Sequence, residues 1–139
     1  MRLWHKDLID ILPQRQLVAQ WRECCAIARS IAVNGSPKHI LVNKIMDYPM
    51  DEFWAYTRRV YHEMRSRGYS CDFSCFAQWF PKVAVSDKEV DEIDIFANWH
   101  TKRYFWQCYA NLEEKYDCGG VQEEDWHRIE DRMKEVILV

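Results

Sequence analysis

The chain has 139 residues, 48% hydrophobic and 14% aromatic, with only four Gly and four Pro, enough to bury a core as one domain and little scope for long irregular stretches. No apolar run reaches the ~18 residues that a membrane-spanning helix needs, and the start lacks an apolar stretch followed by small residues, so the expectation is a cytoplasmic protein without membrane anchor or secretory signal. The net charge of −3 conceals an asymmetry, with seven Lys/Arg against four Asp/Glu over residues 1–50 but seven against fourteen over 86–139; a basic first half on an acidic body fits a polyanion engaged through one face and argues against non-specific coating of nucleic acid.

Met1-Arg2-Leu3-Trp4 opens the chain. Leu3 and Trp4 are expected to pack, which would hold the α-amino group of Met1 near the body of the protein, whereas untethered termini fray. An α-amine is uncharged in appreciable fraction near neutral pH and is then a usable nucleophile.

Residues 13–33 read as a helix of about five turns, with Pro13 suited to its first turn. Leu17, Trp21, Cys24, Ala28 and Ile31 form its apolar face. Arg15, Arg22 and Arg29 recur every seventh residue; each step drifts by only about −20°, so the three cations make one row beside that face. Glu23 is the one acid on the helix, about 100° round from the row, on a side otherwise formed by Gln16, Ala19, Gln20 and Ile27. Such a row is commonly a solvated face and such an acid a solubilising one. A functional reading takes the row as phosphate ligands and the acid as a proton-transfer group.

Asn34-Gly35-Ser36-Pro37 stops the helix. Lys38 to Tyr48 is ambiguous between a short helix and an extended piece. Asp51 is a plausible N-cap for a second helix running to about Arg67 and closed by Gly68, with Phe53, Thr57, Val60, Tyr61 and Met64 inside. Arg58, His62 and Arg65 share another face, either an extension of the basic surface or simply solvated. Residues 69–85 read as an aromatic connection broken by Pro81. Ser86, with Glu89 as capping-box partner, opens a third helical region whose apolar signal runs through Val90, Ile93, Ala97, Tyr104, Cys108 and Leu112. It is one long helix or two bent near Asn98-Trp99-His100, and Gly119-Gly120 ends it. Residues 122–137 read as a last amphipathic helix with acids in its first turn. The fold class expected is all-α, a compact single-domain bundle of three main helices plus one or two short ones.

No P-loop, Gly-rich dinucleotide motif, nucleophile elbow or H-E-x-x-H helix occurs. The six cysteines include no C-x-x-C pair and read as buried free thiols; Cys71 and Cys75 with His100 or Cys108 are only a weak metal pattern, and neither metal nor cofactor is expected. The five histidines lack helical ligand spacing.

Taken together, Met1-Arg2-Leu3-Trp4 and Arg15-Gln16-Leu17-Val18-Ala19-Gln20-Trp21-Arg22-Glu23 resemble the pyrimidine dimer DNA glycosylase family, and the M-R-L-W-H start with Q-x-R-E-C-C is similar to a set of small bacterial proteins. The specific likeness covers about thirty residues, and a looser one continues through His39, the second helix and the His100 region. The resemblance implies a compact helical domain, a monomer acting on damaged double-stranded DNA, whose N-terminal amine attacks C1′ of a damaged nucleotide. A Schiff base forms, and β-elimination nicks the strand. It places the essential acid at Glu23, with Arg2 and Arg22 as cations near the DNA; Arg15 and Arg29 extend that set, and His39 and His100 are further pocket candidates.

Two positions depart from the family pattern. Arg follows Met1, so the nucleophile would be the Met1 amine itself, and Gln16 stands where the family carries a histidine, which puts preference for a dimer in question. The sequence alone names no residue that enters or stacks in the DNA; Trp4 and Trp21 are candidates, though each also suits the core. Two non-catalytic readings remain, a helical nucleic-acid-binding module and a protein-interaction domain working through its acidic half.

Overall fold

The structure, a computed structural model, describes residues 1–80 and 85–138. Among them there are helices and no strand. Met1–Trp4 leads into a 3-10 turn, Lys6–Ile11, followed by α1 (Gln14–Asn34), a second 3-10 turn (Asn43–Asp47), α2 (Met50–Ser66), the short α3 (Ser74–Ala77) and α4 (Asp87–Glu92), α5 (Lys102–Asp117) and α6 (Glu123–Ile137). No described helix is long and apolar enough to cross a membrane.

α1 begins as Pro13 dictates and stops where Gly35, at φ 84°, turns left-handed and donates its N–H to the Ile31 carbonyl at 2.9 Å. Its buried face is Leu17, Gln20, Trp21, Cys24, Ile27 and Ala28. This is wider than expected, because Gln20 is fully buried and Ile31 only half-buried. α2 packs against α1 and hides Phe53, Trp54, Ala55, Tyr56, Thr57, Val60 and Met64. Pro49 is its N-cap, and Asp51, expected there, sits in the first turn with Glu52, where a carboxylate still opposes the positive end of the helix dipole.

The ambiguous Lys38–Tyr48 stretch is a turn followed by the second 3-10 turn. Part of the expected connection after α2 is helical, as α3, and packs on α1; the break expected at Pro81 lies outside the described residues. The Ser86–Glu89 capping box is present at α4, but the third helical region is neither continuous nor simply bent. Ile93 is extended, and Phe96 takes a φ of 53°, a conformation uncommon outside glycine. The Phe96 N–H donates to the Glu52 carboxylate at 2.7 Å, and Ile95 and Phe96 are fully buried. Ala97, expected on the apolar face, is exposed. α5 restarts at Thr101, whose hydroxyl accepts the Tyr104 N–H at 3.3 Å, and pairs with α6. The opening 3-10 turn lies against both α2 and α6, where Arg132 forks onto Asp10 at 2.7 and 2.9 Å. The core is continuous and aromatic, with Tyr56, Phe96, Trp99 and Tyr104 around His100 and Phe53, Trp54, Phe73 and Phe76 beneath α2.

Candidate functional site

The first five residues are stitched into the core by backbone bonds to side chains. Gln20, fully buried, takes the Trp4 N–H on Oε1 at 2.7 Å and gives its Nε2 to the Arg2 carbonyl at 3.0 Å. The Tyr56 hydroxyl donates to the Trp4 carbonyl at 2.6 Å and lies 3.0 Å from Gln20 Oε1. The Tyr104 hydroxyl donates to the Leu3 carbonyl at 2.5 Å. His5 accepts the Asp7 N–H on Nδ1 at 3.1 Å, which leaves its Nε2 as the donor to the His100 carbonyl at 3.0 Å. Leu3 and Trp4 are buried, while Met1 is 47% exposed, so the segment is fixed and its first residue faces solvent.

Met1 projects into a cleft of about 380 Å³ whose lining includes Arg2, Trp4, Arg15, Gln16 and Glu23 from the first part of the chain, with Leu41, Asn111 and Lys115. Glu23 is half-buried on the α1 wall. Burial raises its carboxyl above the ordinary range, while the positive charge of the Met1 amine, the Arg2 backbone N–H and His39 oppose the rise. Met1 and Glu23 thus line one concavity, and the charge of the amine is one of the influences on the carboxyl. Gln20 Nε2 lies 3.4 Å from Glu23 Oε2, so the residue that anchors Arg2 and Trp4 also braces the acid. Gln16 also lines the cleft, with its Oε1 buried and without a hydrogen-bond partner among the described residues.

The structure spreads the arginine row along α1. Arg15 borders both this cleft and a neighbouring groove of about 620 Å³ between the start of α1 and the Gly119–Asp125 turn into α6. Arg22 lines that groove alone of the two, and Arg29, exposed one step further, lines neither. The Arg2 guanidinium is 5.5 Å from the centroid of Trp4 and reaches Cys108 Sγ at 3.7 Å.

His39 is the weakest of the influences that hold the Glu23 carboxyl down and does not line the cleft. His100 does not share the cleft: it is 5% exposed, stacked on His5, with Nδ1 accepting the Lys6 N–H at 2.9 Å, and burial holds its pKa well below the ordinary value. The six cysteines are free thiols; Cys25 lies near Cys71 and Cys75 and burial pushes it up to about 11. Among the described residues no three His, Cys, Asp or Glu side chains converge as metal ligands.

Sequence reasoning did not identify Gln20, Asn111, Lys115 or Leu41. Gln20 carries a legible signal, a polar residue at a position facing the apolar side of α1. The other three reach the cleft through tertiary folding alone.

A family model described as pyrimidine dimer DNA glycosylase matches residues 1–77, a span that holds Met1, Glu23, the arginine row and α2 but not α5. No curated protein and no solved structure matches the chain significantly.

Proposed function

Since the chain belongs to the pyrimidine dimer DNA glycosylase family, we propose that it excises a damaged base and nicks the strand through the Met1 amine, with Glu23 managing the protons. The observation that carries this reading is the meeting of the Met1 amine and the Glu23 carboxyl in one cleft flanked by Arg2 and Arg15. The amine nitrogen attacks C1′, and the C1′–base bond breaks with its electron pair going to the base, which takes the proton the amine releases. The nitrogen lone pair then opens the C1′–O4′ bond while the Glu23 carboxyl gives O4′ a proton, leaving a protonated imine at C1′. The Glu23 carboxylate removes a C2′ proton, the C3′–O bond breaks and the 3′ phosphate departs. Water hydrolyses the imine and restores the amine. Burial of Glu23 suits it to both directions of transfer, because a carboxyl raised toward neutrality gives and takes protons readily. Arg15, Arg22 and Arg2 supply charge for the flanking phosphates, and Gln16 in place of histidine points away from a strict dimer requirement and toward a wider range of lesions, abasic sites included.

The test is borohydride trapping on abasic DNA. A covalent adduct is expected with a free Met1 amine and is expected to vanish when that amine is acetylated. Lys115 lines the same cleft and is the built-in control. Trapping that survives acetylation but is lost in Lys115→Arg would move the nucleophile to the lysine. No adduct and no nicking on any lesion would leave the protein a non-catalytic binder of DNA.

A further inference from the structure

Three of the six free thiols gather on one flank of the molecule. Cys25 is half-buried on α1, one turn beyond Trp21. Cys71 is half-buried and Cys75, on α3, is exposed, and each stands two residues from Phe73. The Trp21 and Phe73 rings stack with centroids 6.3 Å apart, and α3 packs directly on α1. Phe73 is fixed further by Tyr61 and Trp54, at 5.2 and 5.3 Å, and by the Arg58 guanidinium 4.4 Å from its centroid. Cys75 donates its backbone N–H to the Asp72 carbonyl at 3.1 Å, and its own carbonyl accepts from Gln78 Nε2 at 3.2 Å. The short segment that carries two thiols is therefore pinned to the helix that carries the third. Their electrostatics agree with that placement: Cys75 is the foremost charge bearing on Cys25, Cys71 is the next, and Cys75 bears in turn on Cys71.

Among the described residues no three His, Cys, Asp or Glu side chains converge as metal ligands, so the chemistry these thiols share is that of the sulfur–sulfur bond. We propose that Cys75 and Cys25 are a site of reversible thiol oxidation, at which a peroxide ties α3 to α1 through a disulfide. The exposed sulfur reacts first, since access is a main control on thiol oxidation. The Cys75 thiolate attacks one peroxide oxygen and the O–O bond breaks. The departing hydroxide takes the proton that the thiol released, leaving water and a sulfenic acid. The Cys25 thiolate then attacks the Cys75 sulfur, the S–O bond breaks, and the second hydroxide leaves as water with the Cys25 proton. Two thiols have given two electrons to one peroxide, and a small dithiol returns them by exchange. Burial pushes Cys25 up to about 11, so it waits as a thiol at neutral pH and closure quickens as pH rises. The bridge closes a loop of about fifty residues that contains the second 3-10 turn and all of α2, and a cross-link of that span acts chiefly by constraining the unfolded chain. None of the three thiols lines the cleft of Met1 and Glu23, so the bridge stabilises the helix that frames the cleft without standing in it. Cys24 and Cys108 are fully buried, and Cys118, exposed at the end of α5, is the control thiol.

The experiment uses the full chain, reduced and then exposed to hydrogen peroxide at neutral pH. Remaining thiols are alkylated in denaturant, and the tryptic peptides are mapped by mass spectrometry. A Cys25–Cys75 linkage is expected, assigned by fragmentation and by its survival in Cys24→Ala and Cys71→Ser and its loss in Cys25→Ser and Cys75→Ser. In Cys25→Ser the Cys75 sulfenic acid is expected to persist and to be captured by dimedone. The urea midpoint is expected to rise on oxidation and to return with dithiothreitol, whereas that of Cys75→Ser, altered only at an exposed position, stays where it was. A bridge between Cys71 and Cys75, oxidation confined to Cys118, oxidised Cys75 beside a Cys25 still open to alkylation, or an unchanged midpoint in the bridged protein would each overturn the proposal.

Discussion

At the scale of single residues, two side chains on the same wall of α1 do different work. Glu23 is visible in the sequence because helical arithmetic isolates it from every other charge on its helix. Changing it to Gln keeps the shape and removes the proton. Nicking is expected to fall by about 10²–10⁴-fold with little change in DNA affinity, because a positioned acid acts on the transition state; single-turnover assays beside equilibrium binding check this, and parallel losses in both would make Glu23 a binding group. Gln20 is legible as a polar residue toward the apolar side of α1, but its role is not, since its partners Arg2 and Trp4 precede the helix and Tyr56 lies 36 residues away. Gln20→Leu strands the buried Trp4 N–H and is expected to cost about 1–3 kcal/mol. Urea denaturation measures that loss, and trapping should fall even where the variant remains folded, because Arg2 and Trp4 lose the side chain that fixes the N-terminal segment. Full trapping in folded Gln20→Leu would show that the N-terminal segment needs no clamp.

At the scale of elements, the helices with strong periodicity were read nearly to their ends: α1, α2 and α6, with Gly35 and Gly68 as left-handed stops. The opening 3-10 turn was not, because nothing local distinguishes it. It is held by Lys6 and Arg132 to residues almost a whole chain away. The 93–101 stretch also escaped, because Val90, Ile93 and Ala97 imitate a helical stripe while the Glu52 carboxylate and the burial of Ile95 and Phe96 favour a left-handed break over continued helix. The arginine row was legible as a row, but its unequal relation to the clefts was not. Arg15→Ala and Arg22→Ala are each expected to weaken DNA binding and to flatten the log–log salt dependence by about one unit. Arg29→Ala, outside both clefts, should alter it less. Titrations across a salt series decide this, and three identical responses would mean that the row reads DNA as one stripe independent of the clefts.

At the scale of the whole molecule, the core contains a histidine pair that must stay neutral. Burial lowers both His5 and His100, with Asp7 pulling His5 back up and Lys6 pushing both further down. A histidine depressed in the folded state binds its proton better when unfolded, so the pair's contribution to stability is intact above the ordinary histidine pKa of ~6.5 and is lost as pH falls below it. Glu23 has the opposite sign: its raised carboxyl favours the fold in acid, and that contribution is lost as pH rises through its folded pKa, above the ordinary value of 4.5. The urea midpoint is therefore expected to drop between pH 7.5 and pH 5.5. A flat midpoint across that interval would show that the pair accepts protons without cost.

The stitching of the first five residues also sets an order of events during synthesis. Residues 1–5 leave the ribosome well before α5, yet the hydroxyl that holds Leu3 belongs to Tyr104 and the carbonyl that holds His5 belongs to His100. Until α5 has emerged, a nascent chain carries every residue matched by the family model and the Gln20 and Tyr56 clamps on Arg2 and Trp4, but not the bonds that hold Leu3 and His5. The N-terminal segment is thus made early and fully fastened late, and a chain cut short before α5 would carry the residues of the cleft's first half without the last of the bonds that fix them.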